Sequence, residues 1–295
     1  MNSFGSVVTA VVTPFEADLN VDYDRAAELT DRLLNTGSES VLVGGTTGES
    51  PTLTTDEKCQ LFKVTKEAAA GRGPVIAGTG SYCTAESIAL TRKAESLGMD
   101  AVMLVCPYYN KPPQEGLYQH FASVAATTSL PVVIYNIPGR TGRNIEPATI
   151  LRLAEIPNIV AVKEASGDVN QFARICAGTP PDFMVYSGDD SMAFHVVALG
   201  GCGVISVASH VAGLPLRELC TALAVGDLTK ARELHLRLLP LFDVLFLPTS
   251  VNPAPVKAAL SLTGFEVGGL RLPLVPVTEA EREKIRTVLE RLELA

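Results

Sequence analysis

The sequence predicts an α/β chain, a (β/α)8 TIM barrel with an appended C-terminal helical region, and three observations lead there. Short β-branched, apolar runs alternate eight times with stretches of helical length, the pattern of βα units around a parallel sheet. Polar residues suited to chemistry follow the second run and the fourth to eighth runs. A closed barrel gathers such residues at one mouth, whereas an open doubly wound sheet spreads them along an edge. Strand signals then stop after about Leu214, with no low-complexity linker before the helical patterns that follow. The chain is therefore divided into a (β/α)8 barrel over residues 1–224 and a helical region over residues 225–295.

In order, the strand candidates are Val7 to Thr13, Val41 to Gly44, Val75 to Gly78, Ala101 to Cys106, Val132 to Asn136, Ile159 to Glu164, Met184 to Ser187 and Gly203 to Ser206. Each is short and almost wholly apolar, as strands buried on both faces must be. Between them, Thr54 and Glu57 form a capping box for a helix reaching Ala70. A helix from Thr84 to Ser96 is closed by Gly98, a residue that tolerates the left-handed cap. Further helices are expected from Gln114, over Ser191 to Leu199, and in the tail at about 216–225, 228–246, 253–262 and 278–294.

A chain of 295 residues, 47% hydrophobic, buries a large core. With 24 basic against 32 acidic residues and a net charge of −8, nothing in the whole-chain charge favours nucleic acid. The N-terminus lacks a basic leader and no apolar run reaches transmembrane length. A cytoplasmic location without membrane attachment is the expectation. Six cysteines lie far apart without C-x-x-C spacing and read as buried, reduced thiols. The four histidines show no ligand spacing, so structural or surface roles are preferred and no metal is expected.

One residue breaks the apolar logic. In IVAVKEASGD, Lys163 interrupts the sixth strand, where a charge is costly. Alternation places Ile159, Ala161 and Lys163 on one face, and small Ala161 leaves room for the lysine stem. Burial lowers an amine's pKa, and a neutral amine attacks carbonyls. The competing explanation is an ion pair with Glu164 or snorkelling to the barrel mouth.

Other motifs cluster at strand ends. VGGTTGES brings hydroxyls and amides to a place where a small anion could sit, although for the motif alone a plain turn is the stronger explanation. It lacks the spacing and lysine of a nucleotide-binding P-loop. CPYYNKPPQEG puts Tyr108 and Tyr109 at the mouth, and YNIPGRTG places Tyr135 there with Arg140 on a Gly-flanked turn. A guanidinium so placed suits a carboxylate, though many loop arginines are merely solvated. In SGDDSMAFH, an N-cap accounts for one of Asp189 and Asp190. GGCGVISVAS reads as a pocket wall.

Taken together and in this order, GTTGES, CPYYN, YNIPGRTG, VKEASGD, YSGDD and GVISV resemble the dihydrodipicolinate synthase family, within the wider pyruvate-dependent class I aldolases. The resemblance spans essentially the whole chain. It implies that Lys163 forms an imine with pyruvate, whose enamine attacks L-aspartate 4-semialdehyde to give 4-hydroxy-tetrahydrodipicolinate, the committed step towards diaminopimelate and lysine. No cofactor is implied beyond that covalent imine. By the same resemblance Tyr135, Thr46 and Tyr109 match a hydroxyl relay, Thr47 matches the pyruvate-carboxylate site and Arg140 the semialdehyde-carboxylate site. Gly188 and the Ile205 carbonyl match further pocket positions. Tyr109 would be lent across a dimer interface, and two such dimers would form a homotetramer.

Two departures stand out. Gly139 replaces a serine common before R-T-G, and the lysine-effector pattern is partial. Ser50, Glu86 and Tyr108 are present, whereas Pro51, Thr55, Lys58 and Tyr82 differ from inhibited members. Two rivals remain: another imine-forming enzyme, such as an N-acetylneuraminate lyase-like aldolase or a sugar-acid dehydratase, and a non-catalytic carboxylate-binding barrel. Arg140 speaks against the first, since a polyhydroxylated chain does not call for it; the intact Lys163, Tyr135 and Thr46 speak against the second.

Overall fold

A computed structural model describes residues 4–294. Its eight parallel strands close in chain order, with β1 pairing both β2 and β8. They are β1 (Val7–Ala10), β2 (Ser40–Val43), β3 (Val75–Gly78), β4 (Ala101–Val105), β5 (Val132–Asn136), β6 (Ile159–Glu164), β7 (Met184–Ser187) and β8 (Gly203–Ser206). The helices of the barrel are α1 (Tyr23–Asn35), α2 (Thr55–Ala69), α3 (Thr84–Ser96), α4 (Gln114–Ala125), α5 (Pro138–Thr141), α6 (Pro147–Leu153), α7 (Val169–Gly178) and α8 (Ala193–Ala198). After β8 come α9 (Ser209–Ala224), α10 (Leu228–Leu245), α11 (Ala254–Leu262) and α12 (Glu279–Arg291). The open-sheet alternative is thereby removed.

The capping box forms as expected, with Glu57 N–H donating to Thr54 Oγ1 at 3.2 Å and Thr54 N–H donating to Glu57 Oε2 at 2.8 Å. Other boundaries shift. The first run leaves the sheet at Ala10, and Thr13 instead donates its hydroxyl to the Gly48 carbonyl at 2.7 Å, supporting the loop after β2. The helix expected over Ser191 to Leu199 is a 3-10 turn, Asp190–Met192, followed by α8. Asp189 holds the N-cap position of that turn without a side-chain capping hydrogen bond, and Asp190 instead accepts from Ser206 Oγ and from the Val207 and Ala208 amides ahead of α9.

Two apolar layers form the core. Val8, Leu42, Ile76, Met103, Tyr135 and Ile205 fill the barrel interior, while outward residues of the same strands pack beneath the helices. One expectation about β6 is corrected here. Ile159 pairs Val132 but Ala161 pairs Val133, so the intervening Val160 is an extra residue. Such a bulge breaks strict alternation. Ile159 joins the outer layer, whereas Val160 and Ala161 face the interior. Of the six thiols, all free, only Cys106 and Cys220 are buried, and the other four are half-buried, which corrects the expectation of buried thiols throughout.

The C-terminal helices share the outer layer, with Leu234, Leu241, Val256 and Ile285 buried in it. They also reach the barrel mouth through charge. Lys257 Nζ lies 2.7 Å from Glu49 Oε1, with side chains only 4% and 0% exposed, and donates to the Gly269 carbonyl at 2.6 Å. The Arg271 amide donates to the other Glu49 oxygen at 3.1 Å. Removing one partner of a buried pair strands the other, so Lys257→Ala should cost about 3–5 kcal/mol of stability. Denaturant unfolding checks this; the paired change Lys257→Met with Glu49→Gln should cost distinctly less.

Candidate active site

Strand register assembles the centre. Tyr135 on β5 pairs Lys163 on β6, which pairs Tyr186 on β7. Paired residues of parallel strands share a face, so all three point into the barrel. Lys163 Nζ lies 4.3 Å from the centroid of the Tyr135 ring, and its side chain is 5% exposed. Gly188, just beyond β7, makes room for the lysine stem: a Cβ there would lie 3.2 Å from Lys163 Cε and 2.7 Å from Ala165 Cβ.

The ion-pair explanation for Lys163 does not hold. Neighbouring Glu164 faces away, buried, where it accepts from Asn136 Nδ2 at 2.9 Å, Gln171 Nε2 at 3.0 Å and the Ser166 amide at 2.7 Å. Lys163 is instead a buried amine without a direct ion pair among the described residues. Burial draws its pKa down from 10.5 to about 8; Asp189 and then Asp190 oppose that fall, and Arg140 deepens it. Burial likewise pushes the Asp189 carboxyl up to about 6, against the attraction of Lys163. For the Tyr135 phenol, burial and then Asp189 raise the pKa well above its ordinary value, while Arg140 and a hydrogen bond with Thr46 oppose the rise. Desolvation therefore favours the protonated phenol over the phenolate.

A cavity of about 220 Å³ opens at Tyr135, lined also by Gly44, Thr46, Ile137 and Arg140 and reaching outward to Ser50, Pro51 and Tyr108; Lys163, Gly188 and Ile205 lie behind Tyr135 and do not line it. Gly44 adopts φ +73°, which lets the loop after β2 turn into the mouth. Arg140 is exposed on the single-turn helix α5, started by Pro138. Gly139 has nothing within 4 Å of a built Cβ, so the serine it replaces would fit without strain. Ile205 is fully buried in the same interior layer as Tyr135.

Two further expected residues, also outside the cavity lining, have other surroundings within this single chain. Thr47 is buried, its Oγ1 accepting a hydrogen bond from Asn252 Nδ2 at 3.0 Å. Tyr109 is 93% exposed and does not line the cavity. Its backbone sits at φ +70°, a left-handed conformation that costs a tyrosine about 1–2 kcal/mol. Tyr108 packs edge-on against Tyr82, ring centroids 5.1 Å apart. Two groups were given no place in the site by the sequence reading: Asp189, one of two adjacent acids of which a helix cap explained one, and Asn252, whose only signal was an asparagine before a proline in VNPAPVK.

The histidines take structural places. His210 is buried, its Nε2 accepting from the Val12 amide and its Nδ1 donating to the Val207 carbonyl at 2.8 Å; burial lowers its pKa to about 4. No group of three or more His, Cys, Asp or Glu side chains among the described residues is arranged to hold a metal. No helix among the described residues is long and apolar enough to cross a membrane.

The comparison that decides the family is a match of residues 3–292 to the model of the Dihydrodipicolinate synthetase family. The chain belongs to that family. A 4-hydroxy-tetrahydrodipicolinate synthase of Desulforamulus reducens is 54% identical over 292 residues, 99% of this chain and 98% of the relative. Among solved family structures, the dihydrodipicolinate synthase of Cyanidioschyzon merolae with lysine bound is 46% identical, with a TM-score of 0.97 and 99% of each chain covered. The chloride-inhibited enzyme of Acinetobacter baumannii, complexed with pyruvate, is 41% identical with a TM-score of 0.96, over 99% of this chain and 100% of that one. These likenesses run through the barrel and the C-terminal helices alike.

Proposed function

We propose that this member of the dihydrodipicolinate synthetase family is a 4-hydroxy-tetrahydrodipicolinate synthase, condensing pyruvate with L-aspartate 4-semialdehyde through an imine on Lys163. One observation carries the reading: a buried amine, its pKa drawn down to about 8 by desolvation, lies 4.3 Å from the ring of Tyr135, which lines a cavity together with Arg140. The Lys163 amine attacks the pyruvate C2 carbonyl and water departs. The protonated imine draws electrons from C3, which loses a proton to give the enamine. The enamine carbon bonds to the semialdehyde aldehyde carbon, whose oxygen takes up a proton, and cyclisation onto the substrate amine releases Lys163. The reading requires no metal and no cofactor beyond the imine, and places the reaction in the cytoplasm.

Within this reading Tyr135, Thr46 and Tyr109 pass protons, Thr47 holds the pyruvate carboxylate, Arg140 receives the semialdehyde carboxylate, and Gly188 and the Ile205 carbonyl shape the pocket. Borohydride reduction with pyruvate, followed by peptide mass measurement, tests the imine; no adduct on Lys163 would sink the proposal. A coupled assay with aspartate semialdehyde and a downstream reductase tests the aldehyde.

Tyr109 belongs to the proposal through assembly. A strained backbone presenting a nearly fully exposed tyrosine suits a side chain donated to a second copy. A homotetramer, a dimer of dimers, is the proposed state, with relays completed across the tight interface. Tyr109→Phe should lower turnover roughly 10- to 100-fold while leaving the imine trappable. Full-rate turnover by that variant would remove Tyr109 from the relay.

Lysine inhibition should be weak. Glu86, the anion that a cationic effector would seek, already faces Lys58, whose amine is pulled down by burial and sustained by Glu86. It also accepts from Ser81 Oγ at 2.8 Å. Steady-state rates across a lysine titration check this, and potent inhibition at low lysine concentration would contradict it.

A further inference from the structure

The loop carrying Thr46 and Thr47 is held from the C-terminal region. Asn252 binds Thr47, while Lys257 and the Arg271 amide bind Glu49, two residues further along. Glu49 sits at φ +55°, so the loop is bent as well as anchored. The polarity of the Asn252 contact matters more than its presence. A threonine hydroxyl has one proton. If its oxygen accepts from a neighbour, that proton remains available; if it donates to that neighbour, none is left for a ligand. Asn252 is buried, 7% exposed, and presents its Nδ2 donor to Thr47 Oγ1, while its own Oδ1 has no hydrogen-bond partner among the described residues.

We infer that Asn252 is a positioning residue that orients the Thr47 hydroxyl: by donating to its oxygen, the amide leaves the Thr47 proton free for the carboxylate of a 2-oxo acid. The inference rests on the proposed role of Thr47 as the pyruvate-carboxylate contact. It also assigns a task to the C-terminal region, which supplies the group that determines how an anion is received at the barrel mouth. A carboxylate at position 252 would do the opposite, drawing the hydroxyl proton to itself and adding a like charge beside the substrate. Leucine would keep the volume but remove the donor.

The test compares Asn252→Leu, Asn252→Asp and Thr47→Val, singly and with each Asn252 change combined with Thr47→Val. Every variant is assayed below its own unfolding midpoint in the full-length enzyme. Pyruvate KM is read against kcat and against the semialdehyde KM, and borohydride trapping is titrated with pyruvate. A hydrogen bond to an ion contributes enough that Thr47→Val and Asn252→Asp should each raise pyruvate KM roughly 10- to 100-fold, with Asn252→Leu rising less. The semialdehyde KM should stay within about twofold. In the Thr47→Val background, Asn252→Leu should add almost nothing, because the proton it orients is gone. If Thr47→Val leaves pyruvate KM unchanged, the carboxylate role of Thr47 fails and the inference with it. If Thr47→Val raises it but neither Asn252 change does, or if the effects of Asn252→Leu and Thr47→Val are additive, the orienting role alone is overturned. Melting temperature separates a packing defect, which would move kcat and both KM values together, from lost orientation.

Discussion

Lys163→Met is expected to reduce turnover by roughly a thousandfold or more, because loss of a covalent nucleophile removes the route and not merely an accelerating group. The same variant should yield no pyruvate adduct after borohydride reduction, with the fold intact by circular dichroism. The wild-type enzyme should show the matching pH dependence. Burial lowers the folded Lys163 pKa from 10.5 to about 8, which multiplies the free-amine fraction at pH 7 roughly 300-fold. At that pH the amine is still mostly ammonium, so imine formation should rise with pH and level off above about 8. The sign follows from desolvation, which disfavours the charged form. Trapping rates at subsaturating pyruvate across about pH 6 to 10 read it directly. A rate still climbing steeply at pH 10 would mean that the lysine is not desolvated in the working enzyme.

Tyr135→Phe carries the second largest expected effect, a loss of roughly 10²- to 10⁴-fold in kcat. The phenol is buried and its pKa is raised by burial and Asp189, so it cannot hold a phenolate cheaply. Any proton it accepts must be matched by one it gives up, and in the proposed relay Thr46 is where that exchange continues. Phenylalanine keeps the ring under Lys163 Nζ and deletes only the hydroxyl. The imine should therefore still be trappable with pyruvate, more slowly, while complete turnover collapses. Should kcat fall by less than about tenfold, the relay would have to run through another group, and Asp189, with its pKa raised to about 6, would be the first to examine.

Much of this was legible one residue at a time. A lysine inside IVAVKEASGD is anomalous whatever surrounds it, because a strand buried on both faces should carry no charge. The capping box before α2 and the glycine after α3 needed only local chemistry. Other features were not local. The bulge that sends Ile159 outward depends on β5, and no pattern within β6 announces it. Asp189 and Asp190 looked alike as adjacent acids, yet Asp190 is consumed by the backbone ahead of α9, while Asp189 exerts the larger electrostatic pull on Lys163.

The sequence by itself determined the eight alternating units, the positions of Lys163, Tyr135 and Arg140 at strand ends, and the family to which those motifs point. Periodicity and motif order are properties of short stretches, so they survive without coordinates. Only the tertiary structure decided that Glu164 turns away from Lys163, that the amine lies 4.3 Å from the Tyr135 ring, and that Asn252 reaches back across 205 residues to Thr47. Those outcomes depend on barrel closure and on packing of the C-terminal helices. Desolvation and hydrogen-bond polarity arise between elements, and no single segment encodes them.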